Sequence, residues 1–252
     1  MSVSQNGNPL VRQPWLYEYI YPERSIDALK ACIHILERYL PDNNASILEI
    51  GSGIGRVLDN LSKMGYSVMG IDISQPMIDY ALAQHPHLKI INGDMRDFNA
   101  GREFDALLCV GSTFTYNLSN SDIHTTLSNF RKHCREGGIL ILGILNASQF
   151  LGSEVFNERI ETSVDEGDFH GTAISRHLLD RRKQSFRRVR TWKIEGYHEP
   201  VIDDAEFRLL FPLEIENLLQ QNGFSIIDMW DNTSFQESDL SDRRLYIAAH
   251  SV

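Results

Sequence analysis

Hydrophobic and polar positions along this chain change period in blocks, and the blocks define the elements. From Glu23 to Leu40 the apolar residues Ile26, Leu29, Ala31, Ile33, Leu36 and Leu40 recur at helical spacing, bracketed by Pro22 and Pro41. From Ser46 the period switches. Short apolar runs at 46–50, 67–71, 88–91, Phe104–Val110 and Ile139–Leu145 read as strands, with helical patterns between them at 54–64, 75–84 and 121–134. Gly65 ends the first of these helices, Ser74 caps the second, and Gly137-Gly138 precede the fifth strand. Strands separated by helices predict a parallel sheet with right-handed crossovers.

Residues 146–205 break this rhythm. Period-two alternation in Thr172–Leu178 and Phe186–Ile194, separated by Asp180-Arg181-Arg182-Lys183, predicts an inserted antiparallel hairpin. The α/β pattern then resumes, with a helix over Pro212–Gln221 and strands at Phe224–Trp230 and Leu245–Ala249. No helical pattern lies in 231–244, so the last two strands are expected to pair antiparallel. The division expected is a core of 1–145 and 206–252, with 146–205 as a substrate lid or oligomerisation piece. Residues 1–14 are expected to be loose. The aromatic stretch Trp15–Pro22 is either packed on the core or a flap over a ligand.

In such a sheet, ligands sit at the carboxyl ends of the strands. Those ends carry Glu49 with Gly51, Ser52, Gly53 and Gly55, then Asp72, then Asp94 with Met95, then Cys109 to Ser112. A glycine turn opening a helix presents free N–H groups and a positive dipole end. Asp72 lies 21 residues beyond Gly51, the spacing of a carboxylate that holds a ribose. The pattern points to a cofactor bearing adenosine.

Composition narrows the partners. The formal charge of −10 disfavours nucleic acid, which wants a basic face. The three cysteines, Cys32, Cys109 and Cys134, are odd in number and far apart, which fits a reducing, cytoplasmic setting and assigns no metal. Met1–Pro9 lacks the apolar core of a signal peptide, and no run is long enough for a membrane span.

Five segments in register resemble the class I (Rossmann-like) S-adenosylmethionine-dependent methyltransferases: Glu49–Gly55, Gly70–Ser74, Gly93-Asp94-Met95, Phe104-Asp105 and Arg135–Gly138. The resemblance covers about 46–145, and the last strand pair is similar to the family's reversed seventh strand. It implies a seven-stranded, mostly parallel, doubly wound sheet. The aromatic segment, the Ser112–Tyr116 loop and the insert resemble the small-molecule branch, which includes glycine N-methyltransferase and amino-sugar N,N-dimethyltransferases.

The resemblance also implies roles. Gly51, Ser52, Gly53 and Gly55 would face the methionine part of the cofactor, and Glu49 its ammonium. Asp72 would accept from the ribose hydroxyls, and Asp94 from the adenine amino group. Met95 would offer a backbone N–H and Ile73 would pack on adenine, with Tyr17 and Cys109 completing that set. Tyr21, Ser112 and Tyr116 would wall the acceptor pocket, and His198 is the base candidate to test first. Arg188 and Arg190 share a strand face with Phe186 and Trp192; the usual explanation is a solvated face or homodimer contact in the inserted strands, and the sharper one an anionic acceptor. The function expected is methyl transfer to N, O or C of a small molecule, leaving S-adenosylhomocysteine. A binding protein or cyclase of the same fold, and an NAD-linked oxidoreductase, are the alternatives.

Overall fold

Runs such as Ile47-Leu48-Glu49-Ile50 present apolar residues to both sides, which suits a strand covered on both faces. The computed structural model describes residues 13–40, 44–151, 158–167, 169–237 and 239–252. Two helices come first, α1 (Pro14–Ile20) and α2 (Pro22–Tyr39). The alternating core follows as β1 (Ser46–Ile50), α3 (Arg56–Lys63), β2 (Ser67–Asp72), α4 (Gln75–Gln84), β3 (Ile90–Asn92), β4 (Phe104–Cys109), α5 (Asn120–His133) and β5 (Cys134–Leu145). After the short α6 (Ser148–Leu151) come β6 (Arg159–Glu166), β7 (Phe169–Asp180), β8 (Ser185–Ile194) and β9 (Val201–Arg208). The chain ends with α7 (Pro212–Gln221), β10 (Phe224–Trp230) and β11 (Arg244–Ser251).

The main sheet has seven strands in the order β10-β11-β5-β4-β1-β2-β3. β1, β2, β3, β4 and β5 pair parallel, while β11 runs antiparallel to both β5 and β10. This is the mostly parallel sheet with a reversed last strand that the sequence predicts. Alternation along β1 explains the layers. Ile47 faces Cys32, Ile35 and Leu36 of α2 and Val57 and Leu61 of α3. Leu48 faces the other side, toward Ile123 and Phe130 of α5 and Ile215 and Leu219 of α7.

The insert is larger than the predicted hairpin. β7 and β8 are that hairpin, but β6 and β9 flank them in a four-stranded antiparallel sheet. β9 runs to Arg208, past the expected boundary. β6 escaped detection because its apolar residues are sparse, and β9 because an aspartate sits in its apolar stripe. The aromatic stretch is a helix, α1, with Pro14 in its first turn. Residues 1–12, expected to be loose, lie outside the described residues.

Candidate active site

The glycine turn after β1 is built from three left-handed residues, Gly51 (φ 76°), Gly53 (φ 53°) and Gly55 (φ 79°). They serve different ends. A Cβ on Gly51 would lie 2.4 Å from Thr113 Cγ2, so the loop after β4 lies directly on the turn. A Cβ on Gly55 would press on Leu88 at 3.0 Å, so Gly55 serves packing against the start of β3. Only Gly53 of the three faces open space, with no atom within 4 Å of the added carbon.

Around the turn stand the acids. Glu49 is buried, with the Leu58 backbone N–H reaching its carboxylate and Oε2 left without a partner. Burial, and then the Asp72 charge, push its carboxyl well above the usual range. Ser52 Oγ is a second buried polar atom without a partner. Asp72 accepts from Gly53 N at 2.7 Å and Ser74 N at 2.8 Å, so it ties the turn to the end of β2. Ile73 beside it is half-buried. Asp94 follows β3 and is gripped by Arg96; Met95 packs on the core, and its sulfur accepts from Asn117 at 3.2 Å. Cys109 is fully buried beneath this rim, so its side chain is core rather than surface for a ligand.

A second cluster lies where the segment after α1 meets the inserted sheet. Tyr21, between α1 and α2, donates its hydroxyl to Asp203 Oδ2 at 3.2 Å and accepts from Arg190 Nη1 at 3.1 Å. Arg188 Nη2 donates to the same Asp203 oxygen at 2.9 Å. The Tyr17 and Tyr21 rings lie 5.0 Å apart, and Tyr116 packs on Phe207 at 5.1 Å. Burial raises the Tyr116 hydroxyl far above its ordinary value, with Arg188, Asp203, Tyr21 and Tyr17 all near enough to act on it. Ser112, in the left-handed region at φ 71°, starts the short turn that carries Tyr116.

The structure therefore brings together Tyr17, Tyr21, Tyr116, Arg188 and Arg190. It does not bring His198 there: that residue is exposed in the β8–β9 connection and makes no hydrogen bond or ion pair among the described residues. Arg188, a candidate for holding an anionic acceptor, already has a partner within the chain. Its charge is answered by Asp203, which is 0 % exposed. Arg190 is engaged by Tyr21 and by Ser175 Oγ at 3.0 Å. Asp203 itself was missed. Its signal was available: Val201, Asp203, Ala205 and Phe207 form one buried stripe, and a lone acid in such a stripe needs a buried partner.

α1 is strapped across this site. Arg56, the residue after Gly55, donates to Glu18 O at 3.2 Å and Tyr21 O at 3.4 Å and pairs with the Glu18 carboxylate at 3.6 Å. Tyr80 of α4 donates to Glu18 Oε2 at 2.9 Å, and burial together with Glu18 pushes its hydroxyl up to about 12. Of the two readings of the aromatic stretch, the structure shows the packing: Leu16 is buried, and Tyr17 and Tyr21 pack beside the inserted sheet.

Known proteins share this fold. Residues 47–138 match the family model of a methyltransferase domain. A solved S-adenosylmethionine-dependent methyltransferase from Clostridium acetobutylicum superposes with a TM-score of 0.78 at 18% identity, covering 96% of this chain and 99% of that one. This chain has the fold of the class I methyltransferases. An amino pentose methyltransferase from Micromonospora echinaspora, solved with S-adenosylmethionine bound, has the same class I fold, with a TM-score of 0.75 at 19% identity over 94% and 97% of the chains. In sequence, the chain is 27% identical over 129 residues to dTDP-3-amino-3,4,6-trideoxy-alpha-D-glucopyranose N,N-dimethyltransferase of Streptomyces venezuelae, covering 50% of this chain and 54% of the relative. It is 28% identical over 130 residues to dTDP-4-amino-2,3,4,6-tetradeoxy-D-glucose N,N-dimethyltransferase of Saccharopolyspora spinosa, covering 50% and 52%. The chain thus spans about half the length of these curated relatives.

The class I cofactor fits the residues present. The orphaned Glu49 oxygen lacks a cationic donor, which an amino-acid ammonium supplies. The open side of Gly53 gives room for a ligand against the backbone, and Asp72 is an acceptor at the ribose position of such a fold. Among the described residues no cluster of His, Cys, Asp or Glu could hold a metal ion, and no helix is long and apolar enough to cross a membrane.

Proposed function

We propose that the protein transfers a methyl group from S-adenosylmethionine to a small-molecule acceptor, with an amino nitrogen of a sugar-like molecule as the first choice. The observation that carries this is an unpartnered buried acid at a glycine turn whose next residue, Arg56, is bonded to the segment bearing Tyr17 and Tyr21. The relatives' names, which are those of amino-sugar N,N-dimethyltransferases, favour nitrogen and a sugar.

Glu49, Ser52, Gly53 and Asp72 would hold the cofactor, with Asp94 and Met95 at its base. When bound, S-adenosylmethionine supplies a methyl group on a positively charged sulfur. The protein's own part is to place the acceptor in line and exclude water. Tyr17 and Tyr21 cover the site from α1. Tyr116 stays protonated and orients the acceptor atom as a donor or acceptor. An uncharged amine attacks without a base, so none is assigned to His198. The Arg188–Asp203 pair sets the shape of the wall without offering an unbalanced charge.

We also propose residues 146–205 as the substrate-covering piece of the chain. The outer face of its sheet exposes Ile174, Leu178 and Ile202, which suits a homodimer contact. Light scattering should give a dimer that Ile174→Glu with Ile202→Glu converts to a monomer.

Calorimetry with S-adenosylhomocysteine and NAD tests the cofactor. Binding of the first alone supports the reading, and binding of NAD alone sinks it. Incubation with methyl-labelled cofactor and a set of amino sugars, with mass identification of the product, tests the transfer. Cofactor binding with no label moved to any acceptor favours the non-catalytic alternative.

A further inference from the structure

Asp94 sits two residues past Asn92, the β3 residue that pairs with Asp72, and its carboxylate has a fixed direction. Arg96 imposes it. Arg96 Nε donates to Oδ1 at 2.9 Å, Nη2 donates to Oδ2 at 2.5 Å, and the Arg96 backbone N–H donates to Oδ1 at 3.0 Å. The guanidinium is held from its far side too, where Nη1 reaches Asp122 Oδ1 at 3.5 Å in the first turn of α5. The Ser119 hydroxyl in turn donates to the other Asp122 oxygen at 2.7 Å.

A half-exposed ion pair of this kind adds little to stability. What a two-pronged fork does add is orientation, because it fixes the plane of the carboxylate. Each carboxylate oxygen has two acceptor sites, so Asp94 can still accept after Arg96 is satisfied, and in a direction the fork sets. The side-chain bond from Arg96 also draws the Asp94 carboxyl below its usual range, which keeps it an acceptor only.

Resting on the reading of Asp94 as the acceptor for the adenine amino group, we propose that Arg96 is a positioning residue that makes Asp94 selective for a 6-amino purine. A group already held in its bound orientation loses less freedom on binding. A site built to accept from an N–H rejects a ligand that lacks it. Asp122 and Ser119 extend this support to the α5 terminus.

The test is calorimetric titration of two ligands, S-adenosylhomocysteine and its purine analogue without the 6-amino group. The proteins are wild type, Arg96→Met and Arg96→Lys, with folding checked by thermal unfolding. Wild type should prefer the amino compound by about tenfold or more, the value of a hydrogen bond to a charged group. Arg96→Met should cut that preference to about twofold while binding the analogue as wild type does, and Arg96→Lys, which keeps the charge but not the fork, should fall close to it. Three results overturn the proposal: a wild type without preference, an Arg96→Met protein with the full preference, or an equal loss for both ligands, which marks a purely structural role. Of these, the first also removes Asp94 as the acceptor for the amino group, whereas the other two leave that reading standing and remove Arg96 alone. A wild type that does not bind S-adenosylhomocysteine at all removes the cofactor reading itself.

Discussion

Glu49 shows how much one side chain can carry. It lies in an apolar strand, and burial and Asp72 raise its carboxyl well above the ordinary value. The sign follows. An acid raised in the folded state binds its proton there while the unfolded chain has lost it, so stability falls as pH rises from the unfolded value through the folded one. A bound ammonium reverses the preference and drives the proton off. S-adenosylhomocysteine binding should therefore release a proton and strengthen with pH over that range, measured by calorimetry in buffers of different ionisation heat. Glu49→Gln should abolish both effects. The neighbouring glycines give a contrast. Gly53→Ala meets no atom and should cost about 1 kcal/mol of left-handed strain, yet it should weaken S-adenosylhomocysteine binding sharply, because the new methyl enters the ligand's space. Gly51→Ala adds a collision with Thr113 and should lower the melting temperature further.

At the scale of elements, the wall formed by β8 and β9 rests on one buried pair. Removing a single partner strands the other. Asp203→Ala should destabilise the protein by about 3–5 kcal/mol, whereas Arg188→Met with Asp203→Leu should recover most of that loss. Denaturant unfolding of these two variants beside wild type measures it. This pair also marks the limit of what could be read from residues alone. β1, β2, β4 and β5 were legible because both their faces are apolar. The cofactor turn was legible because glycines and acids are placed there by local backbone needs. The tyrosine–arginine cluster was not, since it arises from strand register and from a contact between Tyr21 and Asp203, 182 positions apart. Arg188 and Arg190 were found on the right face, but Asp203, the partner of Arg188, belongs to an element whose alternation the acid disguised.

For the molecule as a whole, α1 joins three parts: the glycine turn through Arg56, α4 through Tyr80, and the inserted sheet through Tyr21. Arg56→Met should leave the melting temperature nearly unchanged, because a half-exposed pair contributes about 1 kcal/mol or less. It should nonetheless increase hydrogen exchange over 14–20 and speed release of S-adenosylhomocysteine. Equal exchange in mutant and wild type would show that α1 is held by Leu16 packing alone.

β11 has a consequence for how the chain is made. It is the strand between β5 and β10, so residues 146–243 must be synthesised before β5 gains its second neighbour. At about 5–20 residues per second, that leaves an apolar strand edge uncovered on the ribosome for roughly 5–20 s. Such an edge is a template for wrong pairing. Nascent chains arrested before Arg244 should thus be protease-sensitive and chaperone-bound. Those arrested once Ser251 has cleared the exit tunnel should be neither.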